Sequence, residues 1–176
     1  MSYIESAPDS GALTHRPAGL TVLIGGGFKF ETACLLPKLA DSLDLHCFCT
    51  EWGGTPGTDG IPVGQYESVP SFATVTRPGY WRSTRAFIVT FWRSLQRIRR
   101  HRIDLVFGFG CSHMVPMLLA ARLLRRQTIF IESITRADTL STTGRIVYRL
   151  RLADTFIVQW PELKRDWPRA ELGTIL

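Results

Sequence analysis

Ile129-Phe130-Ile131-Glu132-Ser133-Ile134-Thr135-Arg136, continued through Thr143-Gly144-Arg145 to Ala153-Asp154-Thr155-Phe156-Ile157-Val158-Gln159-Trp160, is the stretch on which the reading of the fold turns. A short apolar run followed by a polar cluster predicts a buried strand that delivers Glu132, Ser133 and Arg136 to its C-terminal end. A short helix follows, then a second buried strand ending in Gln159-Trp160. Strand, helix and strand in so few residues form the repeating unit of a parallel sheet, and ligands of such sheets bind at the carboxyl ends of the strands. The polar cluster is therefore a candidate site.

Upstream the same alternation recurs. Leu20-Thr21-Val22-Leu23-Ile24 reads as a strand running into Gly25-Gly26-Gly27, and residues 31–43 carry Leu35, Leu36, Leu39 and Leu43 at helical spacing. Residues 45–49 read as a second strand and residues 52–65, rich in Gly and Pro, as a loop. Phe72-Ala73-Thr74-Val75 reads as a third strand, residues 81–101 as a long basic helix, and Ile103-Asp104-Leu105-Val106-Phe107 as a strand entering Gly108-Phe109-Gly110. Ser112 is placed to cap a helix over residues 114–125, with Pro116 near its first turn, where a missing N–H costs little. The expected fold is α/β, a Rossmann-like parallel sheet with helices on both faces. Residues 1–18, polar and broken by Pro8, Gly11 and Pro17, read as a flexible arm, and residues 19–176 as a single domain.

At 176 residues the chain can bury roughly two thirds of its unfolded surface without disulfides or metal. Its net charge of +6 favours an anionic partner: phosphate groups, an acidic membrane face or nucleic acid. Cys34, Cys47, Cys49 and Cys111 have no C-x-x-C spacing and form no ligand pattern with the histidines, so no metal site is expected and the thiols read as reduced core residues. No apolar run approaches the length of a membrane span, and the first residues lack the basic and apolar segments of a leader. The expectation is a cytoplasmic protein, at most peripheral on a membrane.

Gly25, Gly26 and Gly27 allow the backbone to approach a phosphate, although any tight strand-to-helix turn uses glycine as well. The dinucleotide fingerprint fails twice: Phe30 stands at the third glycine position of the first turn, and His113 at that of Gly108-x-Gly110. A nicotinamide or flavin cofactor is therefore not expected. Glu132 at the end of an apolar strand needs a cation, Arg136 or Arg145, or else has a function. Ser133 and Thr135 suit sugar hydroxyls or a turn equally, and His113 reads as a core residue or a cleft residue. In the basic helix Ile88, Phe91, Trp92, Leu95 and Ile98 share a face, while Arg82, Arg93, Arg97 and Arg100 gather opposite them. That helix either lays its apolar face on the core or, with Tyr80 and Trp81, lies at a membrane surface.

The residues from Ile129 to Trp160 resemble the accessory subunit of two-part glycosyltransferases. This is the membrane-recruiting half of the N-acetylglucosaminyltransferase of dolichol-linked oligosaccharide synthesis, with bacterial counterparts in exopolysaccharide assembly. The resemblance is carried by Ile129, Ile131, Glu132 and Ser133, by Thr143 and Gly144, and by Ala153, Asp154, Phe156, Ile157, Val158, Gln159 and Trp160; more weakly it runs from about Leu20 to Leu176. It implies the acceptor-binding, N-terminal half of a GT-B glycosyltransferase, with the UDP-sugar on a separate catalytic chain and no cofactor on this one. The reaction implied is sugar transfer, with inversion, to a polyprenyl-diphosphate-linked saccharide at the cytoplasmic membrane face.

Under that resemblance Gly25, Gly26, Gly27, Lys29 and Glu31 meet the diphosphate, and Gly108, Gly110, His113, Ser133 and Arg136 line the acceptor cleft. Glu132 is the candidate catalytic base. Phe28 stands where relatives carry a histidine. Tyr80, Trp81, Arg82, Arg93, Arg97 and Arg100 become membrane-facing residues, and Gln159, Trp160, Ile175 and Leu176 the surface for the partner chain. Two other classes are a self-sufficient nucleotide-sugar enzyme, which lacks a complete phosphate fingerprint here, and a nucleic-acid module, for which no motif is present. A purely structural recruiter is a further alternative.

Overall fold

The computed structural model describes residues 16–51, 65–72 and 79–175. Their elements are β1 (Ala18–Leu23), α1 (Gly27–Leu39), β2 (Asp44–Cys49), β3 (Gln65–Ser68), α2 (Tyr80–Arg100), β4 (Leu105–Phe109), α3 (Met114–Leu123), β5 (Gln127–Ile131), α4 (Thr142–Arg149), β6 (Thr155–Val158), α5 (Pro161–Asp166) and β7 (Glu171–Leu172). The strands form one sheet in the order β3-β2-β1-β4-β5-β6-β7, every pairing parallel. Parallel strands covered on both faces need apolar residues at successive positions. All six residues of β1 are accordingly buried.

Its side chains alternate between two cores. Leu20 and Val22 join Phe48, Val106 and Phe130 beneath Leu95, Ile98, Met117, Leu118, Val147 and Leu163 of α2 to α5. Leu23 joins Cys47, Cys49 and Phe107 against Leu36 of α1. Helices thus cover both faces, with α1 on one and the later helices on the other.

Several element boundaries differ from the expected ones. α1 starts at Gly27 rather than residue 31, because Gly26 takes a left-handed φ of 76° and turns the chain at once into the helix. β4 runs on through Gly108, where an added Cβ would lie 2.6 Å from Met114 Sδ and would have to displace the end of that buried side chain. β3 starts at Gln65, the last residue of the expected loop, and was not anticipated: Gln-Tyr-Glu-Ser is polar, which is what an edge strand with exposed side chains tolerates. Residues 73–75 of the expected third strand, residues 52–64 of the expected loop, residues 1–15 of the expected arm, and Leu176 lie outside the described residues.

Ser112 caps nothing: α3 begins after His113, and the backbone carbonyls of Cys111 and Ser112 take the first N–H groups, from Met114 and Val115.

α2 lies on the core differently from its apolar pattern. It buries the small side chains Ala86, Thr90 and Ser94 together with Leu95 and Ile98, and the small stripe lets α3 approach closely. Ile88 and Trp92 are left 50% and 58% exposed, in line with Trp81 at 84%. Arg93 and Arg97 turn the other way. Arg93 donates to the Ser68 carbonyl and pairs with Glu67 at 3.4 Å, and Arg97 reaches His101 Nε2 at 3.2 Å.

α2, α3 and α4 end alike, each followed by an arginine of left-handed φ: Arg102 at 50°, Arg125 at 53° and Arg151 at 52°. The next residue's N–H returns to the last helical turn, from Ile103 to Ile98, Arg126 to Ala121 and Leu152 to Val147. These are Schellman closures with arginine at the position that glycine usually fills.

Candidate functional site

The strand order reverses at β1, whose neighbours β2 and β4 are reached by connections that diverge. The crevice above such a switch point is where open parallel sheets bind ligands. A cavity of about 370 Å³ opens there, lined among others by Ile24 after β1, Phe28 of α1, Gly110 and His113 after β4, and Arg136 and Thr142 after β5. The glycine turn stands beside it. Gly26 and Gly27 are exposed, and nothing lies within 4 Å of a Cβ built on either.

The loop over residues 132–141, which carries the polar cluster, is fastened from four directions. Glu132 is fully buried; its Oε1 accepts from Ser133 N at 3.0 Å and its Oε2 from Ser141 N and Ser141 Oγ, both at 3.0 Å. Ser141 Oγ in turn caps α4 by accepting from Gly144 N at 2.9 Å. A Cβ on Gly110 would lie 2.6 Å from Glu132 Oε1, and one on Gly144 2.0 Å from Oε2, so both glycines are bare because the carboxylate occupies their space.

Glu31 of α1 forms the second anchor. Its Oε1 accepts from Ser133 Oγ at 2.7 Å and Ile134 N at 2.6 Å, while its buried Oε2 has no partner among the described residues. Gln159 Nε2 donates to the Glu132 carbonyl at 2.9 Å, and Trp160 Nε1 to the Ile134 carbonyl at 2.7 Å.

Burial pushes the Glu132 carboxyl above its ordinary range, opposed by the donors from Ser133 and Ser141 and by the charge of Arg136. Its oxygens face the loop and α4, and it does not line the cavity. The expected ion-pair partners are not what holds it: backbone N–H groups and one hydroxyl do. Arg136 is exposed on the cavity wall.

His113 is buried, with its ring edge-on to Phe72 at 4.7 Å and its Nε2–H donating to the Pro70 carbonyl at 3.0 Å. Burial lowers its basicity, so it is neutral near pH 7 and ties the chain after β3 to the start of α3. Cys111, also on the wall, is a poor nucleophile because burial pushes its thiol up to about 12.

The structure therefore gathers Gly26, Gly27, Glu31, Gly110, His113, Ser133 and Arg136 at one crevice, with Gly25 and Lys29 on the same turn and Glu132, Gln159 and Trp160 behind its loop; the candidates on α2 and at the end of the chain lie elsewhere. Tyr80, Trp81, Arg82 and Arg100 are exposed on α2. Ile175 is buried against Phe109 and Ile131, with its carbonyl accepting from Lys38 Nζ at 2.9 Å. Asp154 lies at the opposite edge, accepting from Thr128 N and pairing with Arg122 at 3.1 Å. Sequence reasoning missed Ser141 and Pro70. Ser141 had a signal, a serine three residues before Gly144 at a helix start; the Pro70 carbonyl had none.

Residues 65–176 match the family described as "Oligosaccharide biosynthesis protein Alg14 like". The human protein named UDP-N-acetylglucosamine transferase subunit ALG14 is 38% identical over 94 residues, 49% of this chain and 43% of that one. The Candida albicans protein of the same name is 32% identical over 89% of this chain and 77% of its own. The match to the human relative spans less than half of that protein's length.

Among solved structures, Acinetobacter baumannii MurG superposes with a TM-score of 0.62 at 18% identity, over 83% of this chain and 42% of that one. A UDP-N-acetylglucosamine 2-epimerase from Rickettsia bellii gives 0.61 at 12%, over 86% and 41%. At these identities the likeness is one of fold, the Rossmann-like half of GT-B proteins. The stretch from Glu132 to Trp160, which fastens the crevice loop, falls inside the matched residues, and the chain belongs to the Alg14 family.

Proposed function

We propose that this chain is the acceptor-binding half of a heteromeric UDP-sugar glycosyltransferase, inactive until a second chain supplies the donor, UDP-N-acetylglucosamine. The observation that carries this reading is a cavity at the switch point of the parallel sheet in a member of the Alg14 family, whose human relative is named a UDP-N-acetylglucosamine transferase subunit. The open turn of Gly25, Gly26 and Gly27, with the charges of Lys29 and Arg136, would receive the diphosphate of a polyprenyl-linked saccharide. The saccharide would lie over Thr142 and Gly110.

Glu132 and Glu31 then act as positioning residues: they hold Ser133, Ile134 and Ser141 so that Arg136 and Thr142 meet the acceptor at fixed distances. The group that takes the acceptor proton is assigned to the partner chain. The exposed stripe Trp81, Ile88 and Trp92, beside Arg82 and Arg85, rests on the cytoplasmic face of an anionic membrane, where each arginine adds about 1 kcal/mol. Among the described residues no helix is long and apolar enough to cross a membrane.

The test is sugar transfer from labelled UDP-N-acetylglucosamine to a polyprenyl-diphosphate acceptor in membranes, with this chain, a candidate catalytic chain, and both. Activity confined to the mixture supports the division of labour. Transfer by this chain alone overturns it.

A further inference from the structure

Beyond the crevice, a second recess of about 540 Å³ lies between the end of β3 and the first turns of α2, lined by Ser68, Pro70, Ser71, Trp81, Arg82, Arg85 and Arg93, with Glu51 on its wall. Three guanidinium groups around one space repel one another. Arg82 and Arg85 enter no ion pair or hydrogen bond among the described residues, whereas Glu51 is already engaged. Arg82 also stands in the first turn of α2, where the helix dipole disfavours a cation; no acid stands in that turn and no side chain caps it. Arg93, anchored on Glu67 and the Ser68 carbonyl, is held in place on the recess wall. The arrangement is unfavourable when empty and is relieved by an anion that takes several donors at once. Arginine forks match phosphate oxygens in that geometry.

We propose that this recess binds a phosphate group carried on a lipid, as a site separate from the glycine turn. Trp81, 84% exposed on its rim, gives the apolar part of such a ligand a surface to lie on. Ser71 lines both this recess and the crevice cavity, so a phosphate held here sits next to the acceptor site. The lipid half of the proposal rests on the membrane reading above; the phosphate half does not. Two sources share the chemistry, a phospholipid headgroup and a prenyl diphosphate.

The full chain is titrated with geranyl diphosphate by calorimetry, and sedimented with phosphatidylcholine vesicles with and without phosphatidylglycerol. The variants are Arg82→Gln/Arg85→Gln, Arg93→Gln, and the charge-matched pair Arg149→Gln/Arg151→Gln on the far edge. The recess predicts a loss of tenfold or more for the first pair, a smaller loss for Arg93→Gln, which the outer stripe of α2 does not present, and less than twofold for the far pair. Loss confined to geranyl diphosphate identifies a prenyl diphosphate, and loss confined to phosphatidylglycerol vesicles identifies a headgroup. Equal losses for the near and far pairs, or none in either assay, overturn the site. No sugar transfer is read, so failure here and failure of the transferase reading are separable.

Discussion

The loop after β5 and the outer face of α2 are both polar-aromatic and both near the carboxyl edge of the sheet, yet they are built in opposite ways. Around the loop, Glu132, Ser133, Ser141 and Trp160 spend their polar atoms on one another, on Glu31 or on backbone, and Gln159 adds a donor through Nε2 while its buried Oε1 has no partner among the described residues. On α2, Trp81, Ile88 and Trp92 are exposed, Trp92 with its ring edge-on to Phe91 at 5.7 Å, and Arg82 and Arg85 enter no ion pair or hydrogen bond among the described residues. One region is closed on itself by hydrogen bonds, the other is open to solvent. The difference teaches that substitutions should separate stability from binding: the loop carries the buried hydrogen bonds, and under the proposed function the helix face carries attachment.

The largest break is Glu132→Ala, which leaves the N–H groups of Ser133 and Ser141 and one hydroxyl without acceptors in a buried place. A cost of about 3 kcal/mol is expected. In calorimetry Tm should fall by roughly 6–12 °C for a chain this size. A loss under 2 °C would remove Glu132 from the anchoring role. Trp160→Phe deletes one bond to Ile134 and should cost about 1 kcal/mol, read as a shift in the urea midpoint at constant slope.

His113 sharpens the comparison through pH. Its folded basicity is lowered by burial, so as pH falls below about 6.5 the unfolded chain takes up a proton that the folded chain refuses. Stability is lost across the window below that value, and His46, also lowered by burial, acts in the same sense. Glu132, raised by burial, acts oppositely, since its folded form protonates first as pH falls toward about 4.5. His113→Gln should therefore flatten the fall of Tm between pH 7 and 5; an unchanged slope would show that His113 does not carry it. Smallest in stability is Trp81→Ala/Trp92→Ala, expected within about 0.5 kcal/mol because both rings are exposed. The same variant should lose most of its binding to anionic vesicles in sedimentation. A large drop in Tm with intact vesicle binding would reverse the contrast between loop and helix.

The sequence carried the alternation of strands and helices because buried parallel strands such as Ile129-Phe130-Ile131 are continuous apolar runs between helices of different period. β3 escaped notice because an edge strand has no apolar face to display. The buried side of α2 was open between two readings, core or membrane surface, and the structure divides the apolar stripe: Leu95 and Ile98 are buried with the small Ala86, Thr90 and Ser94, while Ile88 and Trp92 are exposed. At the site, the strand end delivered Glu132 and Ser133 where expected. Their partners were not legible, since Glu31 and Ser133 are 102 positions apart and meet only once the sheet is closed. Arginine was the expected partner of Glu132 on charge alone; the observed donors are N–H groups, which a sequence does not distinguish from one residue to the next.

The left-handed arginines at the ends of α2, α3 and α4 make the chain less robust than its fold allows. A side chain in that conformation costs about 1 kcal/mol relative to glycine. Arg102, Arg125 and Arg151 follow three different helices. Their relief should be close to additive, about 3 kcal/mol in all. Glycine at those three positions is accordingly an accessible route to a sturdier preparation of the isolated chain, and it leaves both the fastened loop and the open helix face as they are.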